Sequence, residues 1–424
     1  MIKYIGPEKI IQKKKEFLFP CSQHFYKKPP QIVKGEMQYL FDSEGKKYLD
    51  FFAGVSVINC GHCNPEITDA TIEQMKILQH TSIIYLTQPI VTLAEKLSRV
   101  LPGDIVHSFF CCTGSEANEG ALLLARLYTG RNEFISLNNS LHGRTYLTMS
   151  VTGLPMWRAD PLLSDCVNFV PNTYSSEKSP EDAAKESFEA IEKVIEAKGS
   201  SIAALIAEPI QGNGGIITPP NWYFKKIKTL LQKHGILLII DEVQTGFART
   251  GKMFAIEHYD VVPDIITVAK ALGNGTPISA FCTNDKIAEA FTKASASTLG
   301  GNPVASITAI AVLDYIKNND LCYNAEILGM KLKCGLLKLK EKYPIIHDVR
   351  GIGLMLGAEL LKENGEPACE ETDFILEILK DEGVLVGKNG QGRNVLAFQP
   401  PLVITKKDIE FVLDKLDLAL NKLR

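Results

Sequence analysis

The stretch ILLIIDEVQTGFARTG, residues 236–251, decides the fold of this chain. It begins with an uninterrupted apolar run, and DIITVAKALGNG at residues 264–275 contains a second one. Runs of this kind are typical of strands that are buried on both faces of a parallel sheet. The first run ends at Asp241 and the second at Lys270, so we expect both side chains at the carboxyl edge of the sheet, where ligands bind in such folds.

Other short apolar runs extend this pattern along the middle of the chain. Amphipathic helical patterns lie between several of them, such as EANEGALLLARLYTG at residues 116–130 and WYFKKIKTLLQKHG at residues 222–235. Strands that alternate with helices predict an α/β fold with a mainly parallel, seven-stranded sheet. The further strand candidates are HSFFCCT (107–113), EFISLNN (133–139), CVNFVPN (166–172), SIAALIAEPI (201–210) and ISAFCTN (278–284).

Both ends of the chain have a different pattern. Residues 36–58 alternate around a Ser-Glu-Gly turn, which predicts a hairpin or meander. Residues 304–404 carry helical and strand-like segments in turn. We therefore expect a small α+β domain built from both chain ends, with residues 1–60 and 304–424 flanking a large domain of residues 61–303.

Composition narrows the functional classes. The 424 residues carry a formal net charge of −3, with acidic and basic residues mixed along the chain, which predicts neither a nucleic-acid nor a membrane partner. Ten scattered cysteines and an N-terminus too charged for a secretory signal favour reduced thiols and the cytoplasm. Cys60-Gly61-His62-Cys63 resembles half of a metal site, but no second half follows, so we expect no metal.

Asp241 and Lys270 suit one chemistry when they are taken together. A pyridine-ring cofactor needs a carboxylate to keep its ring nitrogen protonated. It also needs an amine whose pKa is lowered by desolvation, so that the amine is nucleophilic. Residues 111–126, CCTGSEANEGALLLAR, run from a strand through Gly114 and Ser115 into a helix. Free N–H groups at such a helix start predict a phosphate site.

These motifs resemble the class III pyridoxal-phosphate aminotransferases, which have the type I fold. The resemblance covers nearly the whole chain, and the stretch from residue 239 to residue 275 is its most specific part. It implies pyridoxal 5'-phosphate as the cofactor and a homodimer with active sites at the subunit interface. Lys270 matches the lysine that holds the cofactor as a Schiff base and then moves a proton.

The resemblance also implies roles for the other site residues. Asp241 matches the carboxylate beside the pyridinium nitrogen, Val243 the residue under the ring, and Gln244 the amide facing the 3-oxygen. Thr298 matches the threonine that reaches the phosphate of the neighbouring subunit. Gly114 and Ser115 match residues at the phosphate. Glu208 matches an acid beside Asp241, and His142 matches a residue beside the cofactor. A purely structural role is the alternative for both Glu208 and His142.

The chain departs from the family pattern at three positions. Leu141 stands where an aromatic residue usually stacks on the ring, so some stacking energy is lost. Asn213 replaces a common glutamate, as in the branch of alanine–glyoxylate and ω-amino acid–pyruvate aminotransferases. Ala397 replaces the arginine that ordinarily binds the substrate carboxylate. Arg393 is a candidate substitute, or else an ordinary loop charge.

The expected function is a ping-pong aminotransferase. It would take an amino group from an amino acid or ω-amine donor and pass it to a small keto acid, pyruvate or glyoxylate. Because Ala397 suits a substrate without a clamped carboxylate, a lyase, epimerase or racemase of the same family is the first alternative. A catalytically silent homodimer that keeps the fold is the second.

Overall fold

The computed structural model describes residues 3–423. The strands are β1 (Ile32–Glu36), β2 (Tyr39–Asp42), β3 (Lys47–Phe51), β4 (His107–Cys111), β5 (Glu133–Leu137), β6 (Val167–Val170), β7 (Ile202–Ala207), β8 (Leu237–Asp241), β9 (Ile265–Val268), β10 (Ser279–Thr283), β11 (Ile346–Ile352), β12 (Met355–Leu360), β13 (Val384–Asn389) and β14 (Val395–Phe398). The α-helices are α1 (Pro7–Phe17), α2 (Ala53–Ser56), α3 (Pro65–Ile77), α4 (Gln88–Ser98), α5 (Gly114–Thr129), α6 (Tyr146–Ser150), α7 (Pro180–Lys198), α8 (Tyr223–His234), α9 (Asp285–Ala288), α10 (Pro303–Asn318), α11 (Leu321–Lys342), α12 (Cys369–Asp381) and α13 (Lys406–Asn421).

The central sheet contains the seven predicted strands in the order β4-β10-β9-β8-β7-β5-β6. Strands β6, β5, β7, β8 and β9 pair in parallel, whereas β10 runs antiparallel to both of its neighbours. Every residue of β7, β8 and β9 is buried, as their near-continuous apolar sequences predict. The prediction of a mainly parallel α/β sheet is confirmed.

A second sheet joins the two ends of the chain. Its order is β1-β2-β3-β13-β14-β12-β11, so three strands come from the first 51 residues and four from residues 346–398. Only the pairing of β13 with β3 is parallel. The predicted α+β unit built from both chain ends is therefore confirmed, while the boundaries at residues 60 and 303 stay a prediction.

The strand directions gather the predicted motifs at one edge of the central sheet. Strand β8 ends at Asp241, and β9 ends two residues before Lys270. Strand β4 has the same direction as β9, because both are antiparallel to β10, and it ends shortly before Gly114. Strand β7 ends one residue before Glu208. All of these are carboxyl ends of strands, where α/β folds bind ligands.

None of the helices within residues 3–423 combines the length and the apolar character that a membrane crossing requires.

Candidate active site

The Asp241 carboxylate is held by three neighbours. Its Oδ2 accepts a hydrogen bond from Asn118 Nδ2 at 2.8 Å and lies 2.8 Å from His142 Nδ1. Within residues 3–423, its Oδ1 accepts only the backbone N–H of Val243, at 3.0 Å. A carboxylate oxygen can accept two hydrogen bonds, so Oδ1 keeps one place for a further donor such as a pyridinium N–H.

Lys270 follows strand β9 in a strained backbone conformation. Its φ is 45°, in the left-handed region that non-glycine residues rarely adopt, and it begins a short 3₁₀ turn. Burial lowers the pKa of the Lys270 ammonium, although Asp241 and Glu208 act in the opposite direction. No carboxylate oxygen of residues 3–423 lies within ion-pair distance of the amine. The side chain is thus a partly desolvated amine, as a nucleophilic lysine requires.

The start of α5 leaves two backbone N–H groups free. The N–H groups of Cys112 and Thr113 donate to Glu116 Oε2, at 3.0 and 2.9 Å, and the N–H of Glu116 donates to Thr113 Oγ1 at 3.2 Å. The N–H groups of Gly114 and Ser115 have no acceptor among the described residues. Two free donors at a helix N-terminus can hold a phosphate group.

Gly114 brings the phosphate seat against the other two motifs. A Cβ added at Gly114 would lie 2.9 Å from Val243 Cγ1 and 3.7 Å from Ala269 Cβ. The start of α5, the end of β8 and the residue before Lys270 therefore meet at one point. A side chain at position 114 would displace Val243, which explains why glycine is needed here.

Gln244 has a buried amide without a protein partner. Its Oε1 and Nε2 are buried, and neither has a hydrogen bond within residues 3–423. The amide packs directly over Gly212, where an added Cβ would lie 1.3 Å from Oε1. Buried polar groups are nearly always satisfied, so this amide fits a ligand with a polar atom, such as the 3-oxygen of the expected cofactor.

Glu208 ties two loops together at the sheet edge. Its Oε1 accepts the N–H of Leu141 at 2.9 Å, and its Oε2 accepts the N–H of Gly212 at 3.0 Å. Burial raises the pKa of the Glu208 carboxyl to about 7, His142 lowers it and Asp241 raises it. Leu141 is half-buried on a loop fixed at both ends, because the next residue, His142, donates its N–H to Thr152 Oγ1 at 3.0 Å.

Three further residues from the sequence analysis take no part in the contacts described above. Thr298 is exposed, next to the segment of residues 80–90. The Arg393 guanidinium lies over the ring of Phe25, 5.1 Å from its centroid, and Ala397 is fully buried in β14. The role of Arg393 as a carboxylate ligand stays a prediction.

The Cys60-to-Cys63 cluster is held by a side-chain hydrogen bond. His62 Nε2 lies 2.7 Å from Asp50 Oδ2, while Cys60 is buried and Cys63 is exposed. Across residues 3–423 no three His, Cys, Asp or Glu side chains lie together as metal ligands could. His62 thus has a structural partner.

Sequence reasoning missed Asn118. Its Nδ2 donates to His142 O at 2.7 Å as well as to Asp241, and its Oδ1 accepts from Thr267 Oγ1 at 2.6 Å. Asn118 is 1% exposed and connects α5, β8, β9 and the loop at His142. The available signal was its spacing, because Asn118 is four residues after Gly114 and shares its helix face.

Comparison with known proteins identifies close relatives. The family model described as Aminotransferase class-III matches residues 23–420. A mitochondrial alanine–glyoxylate aminotransferase 2 homolog of Arabidopsis thaliana is 42% identical over 433 residues, covering 99% of this chain and 89% of its own. A leucine/methionine racemase of Thermococcus litoralis is 41% identical over 415 residues, covering 95% and 93%. The solved (S)-enantioselective ω-transaminase of Thermomicrobium roseum superposes with a TM-score of 0.91 at 30% identity, covering 99% and 100%.

Proposed function

This chain belongs to the class III aminotransferases, and we propose that it moves an amino group from an amino acid or ω-amine donor to pyruvate or glyoxylate by a ping-pong mechanism. The observation that carries the proposal is the convergence of Lys270, Asp241 and the Gly114–Ser115 seat at one edge of the sheet. The small acceptors are supported by Asn213 and by the Arabidopsis relative, whose name gives alanine and glyoxylate.

The proposed cofactor is pyridoxal 5'-phosphate, which when bound supplies an electron sink for the bonds around the donor's amine-bearing carbon. Lys270 would bind it covalently through Nζ and then carry a proton on the same atom. Asp241 Oδ1 would accept the ring N–H, and the N–H groups of Gly114 and Ser115 would bind the phosphate.

Other residues of the site would orient the ring. Val243 would lie under it and Leu141 would cover its other face, with less stacking energy than an aromatic residue gives. The unpartnered amide of Gln244 would bind the 3-oxygen. His142 and Glu208 would act through their hydrogen bonds to Asp241 and to the two loops, without taking part in the chemistry.

We propose a homodimer in which Thr298 reaches the partner's phosphate. Thr298 is exposed within its own subunit. It lies beside a segment with exposed apolar side chains, in which Ile84 is 81% and Leu86 is 102% exposed. An apolar surface of this kind is typical of a subunit interface. Size-exclusion chromatography with light scattering tests this proposal, and a monomer would contradict it.

The proposed location is the cytoplasm. All ten cysteines are free thiols, which a reducing compartment maintains. Fractionation of cells that express the tagged chain would test the proposal. Recovery in an organelle would contradict it; the name of the Arabidopsis relative places that protein in mitochondria.

A donor and acceptor panel tests the reaction. The purified enzyme is offered alanine, several ω-amines and ω-amino acids, each with pyruvate, glyoxylate or 2-oxoglutarate. We expect amino-acid formation that depends on both partners, and parallel lines in double-reciprocal plots, as a ping-pong mechanism requires. Absence of turnover with every pair would exclude the aminotransferase. A visible band that does not shift on adding any amine would support the silent homodimer instead.

A racemase or lyase is the second candidate. It is favoured by the Thermococcus relative and by Ala397 at the position of the usual arginine. Racemisation of leucine or methionine without a keto acid, followed by chiral chromatography, would identify a racemase. Phosphate release from an amino-alcohol phosphate without a keto acid would identify a lyase.

A further inference from the structure

A row of three small residues crosses the second sheet beside the candidate active site. Gly357 and Gly387 are the direct neighbours of Ala397 on strands β12 and β13. In this one row across β12, β14 and β13, no side chain is larger than a methyl group. A Cβ added at Gly357 would lie 3.1 Å from Ile216 Cβ, and one added at Gly387 would lie 2.0 Å from the Phe52 ring. The side chains of Ile216 and Phe52 thus pack over the two glycines, on either side of Ala397, and we call this row of three small residues the strip.

This strip lies next to the proposed cofactor-binding residues. Met355 precedes Gly357 by two residues on the same face of β12. Its Cε would lie 3.1 Å from a Cβ at Gly212, over which the Gln244 amide packs. The strip is therefore continuous with the pocket that holds Gln244, on the side of the second sheet.

Four cations near the strip already have partners within the chain. The buried Arg249 donates to Leu354 O at 3.0 Å and to Pro400 O at 2.5 Å, while its Nε has no partner within residues 3–423. Arg350 donates to Asp348 at 3.0 Å and to Glu359 at 2.7 Å. The Lys388 ammonium is hydrogen-bonded to Asp373. Arg393 lies over the ring of Phe25. None of the three cations Arg350, Lys388 and Arg393 is therefore placed to pair with a carboxylate at the strip.

Gln399 is the polar residue nearest in sequence on the same face. It lies two residues after Ala397, just past the end of β14, and its N–H donates to Phe51 O at 2.8 Å. Because side chains alternate along an extended chain, we expect its side chain on the same side as that of Ala397. The residue is 0% exposed, and neither amide atom has a hydrogen-bond partner within residues 3–423. A buried amide without partners is costly, so its presence indicates a ligand that completes its hydrogen bonds.

We propose that Gln399 binds the substrate carboxylate in place of the missing arginine. This proposal rests on the proposed aminotransferase function. A neutral amide can donate to one carboxylate but cannot neutralise a second one in a buried site. The substrates are therefore small monocarboxylates such as pyruvate and alanine. Dicarboxylates such as 2-oxoglutarate and glutamate are rejected.

The test compares wild-type enzyme with Gln399→Leu, a substitution of similar size that removes both polar atoms. With a primary amine that has no carboxylate, 1-phenylethylamine, as donor, we expect the KM for pyruvate to rise about tenfold, as loss of a hydrogen bond to a charged group predicts. The rate of the amine half-reaction and the visible spectrum should not change. For the wild type, kcat/KM with pyruvate should exceed that with 2-oxoglutarate by about a hundredfold or more.

The matched control is Gln74→Leu. Gln74 is also a buried amide, but its Nε2 already donates to Leu78 O at 2.9 Å, away from the strip. Gln74→Leu should lower the melting temperature and leave the KM values for the amine donor and for pyruvate unchanged. Gln399→Leu, by contrast, should maintain or raise the melting temperature of the cofactor-free protein. If the Gln399 amide binds only a structural water, the KM for pyruvate will not change in Gln399→Leu, and that result overturns the proposal. Efficient use of 2-oxoglutarate overturns it too, while no turnover with any acceptor refutes the aminotransferase itself.

Discussion

Asn118→Ala should weaken both the fold and the cofactor site. The substitution removes the three hydrogen bonds that Asn118 makes to Asp241, His142 O and Thr267. A bond to a charged group contributes about 1.5–3 kcal/mol, and each buried partner left without a bond costs about 1–3 kcal/mol. Since Asn118 is 1% exposed, water replaces these bonds poorly. We expect the free energy of unfolding of the cofactor-free protein to fall by about 3–5 kcal/mol.

The cofactor affinity should fall as well. Without Asn118, the Asp241 carboxylate keeps His142 at Oδ2 and the Val243 N–H at Oδ1, so it is held less firmly against the ring nitrogen. We expect the dissociation constant of the cofactor to rise about tenfold, which corresponds to about 1.4 kcal/mol. Urea unfolding followed by circular dichroism measures the stability, and titration of the visible absorbance band measures the affinity.

Asn168→Ala is the matched control. Asn168 Nδ2 also bridges a carboxylate and a backbone carbonyl, Glu133 Oε2 at 2.9 Å and Phe134 O at 3.2 Å, but it does so on edge strand β6. It should cost about 1 kcal/mol of stability and leave the affinity unchanged. If Asn118→Ala binds the cofactor as tightly as Asn168→Ala does, the assignment of Asn118 as the residue that positions Asp241 is refuted.

Three further changes test the remaining parts of the site. Gly114→Ala places a methyl group 2.9 Å from Val243 Cγ1. A titration of the visible absorbance band should therefore show a cofactor dissociation constant at least about tenfold higher than that of the wild type. An unchanged affinity would argue against a phosphate site at Gly114 and Ser115. The pKa of Glu208 is raised from 4.5 to about 7, so its contribution to the stability of the cofactor-free protein is full below pH 4.5 and is lost as the pH rises to 7. In urea titrations at several pH values, Glu208→Gln should remove about 1.4 kcal/mol per pH unit from the fall in unfolding free energy across this window. An unchanged pH dependence would contradict the raised pKa of Glu208. Arg350→Leu removes the only cation paired with the buried Glu359 carboxylate within residues 3–423, which then keeps only hydrogen bonds from Tyr174 and Asn394. It should cost about 3–5 kcal/mol in urea unfolding, and a loss below about 1 kcal/mol would show that the ion pair is not needed.

The central sheet could be predicted because its strands are nearly continuous apolar runs. The direction of β10 could also have been deduced, since no helical pattern separates residues 264–272 from residues 278–284. A parallel neighbour needs a long crossover connection, so strands joined this directly pair antiparallel. The second sheet was harder to predict, because its two halves are almost 300 residues apart and only β13 joins β3.

From the residues alone, without the family resemblance, the site could be predicted only where a motif carries its own chemistry. Asp241 and Lys270 stand at the ends of recognisable strands, so their position followed from the sequence. Asn118 and Gln399 did not stand out, because their importance depends on hydrogen bonds that are made, or left unmade, in the folded chain. Ala397 was recognised as a departure, but the glycines on both sides of it in the sheet were visible only in the structure.

Chemical reduction tests the cofactor assignment most directly. The protein loaded with pyridoxal 5'-phosphate is treated with sodium borohydride, digested with trypsin and analysed by mass spectrometry. Because burial lowers the pKa of the Lys270 amine at the meeting point of Asp241 and the Gly114–Ser115 seat, we predict one phosphopyridoxyl group per chain, attached to Lys270. Attachment to another lysine, or the absence of any stoichiometric attachment, would contradict this account of the site.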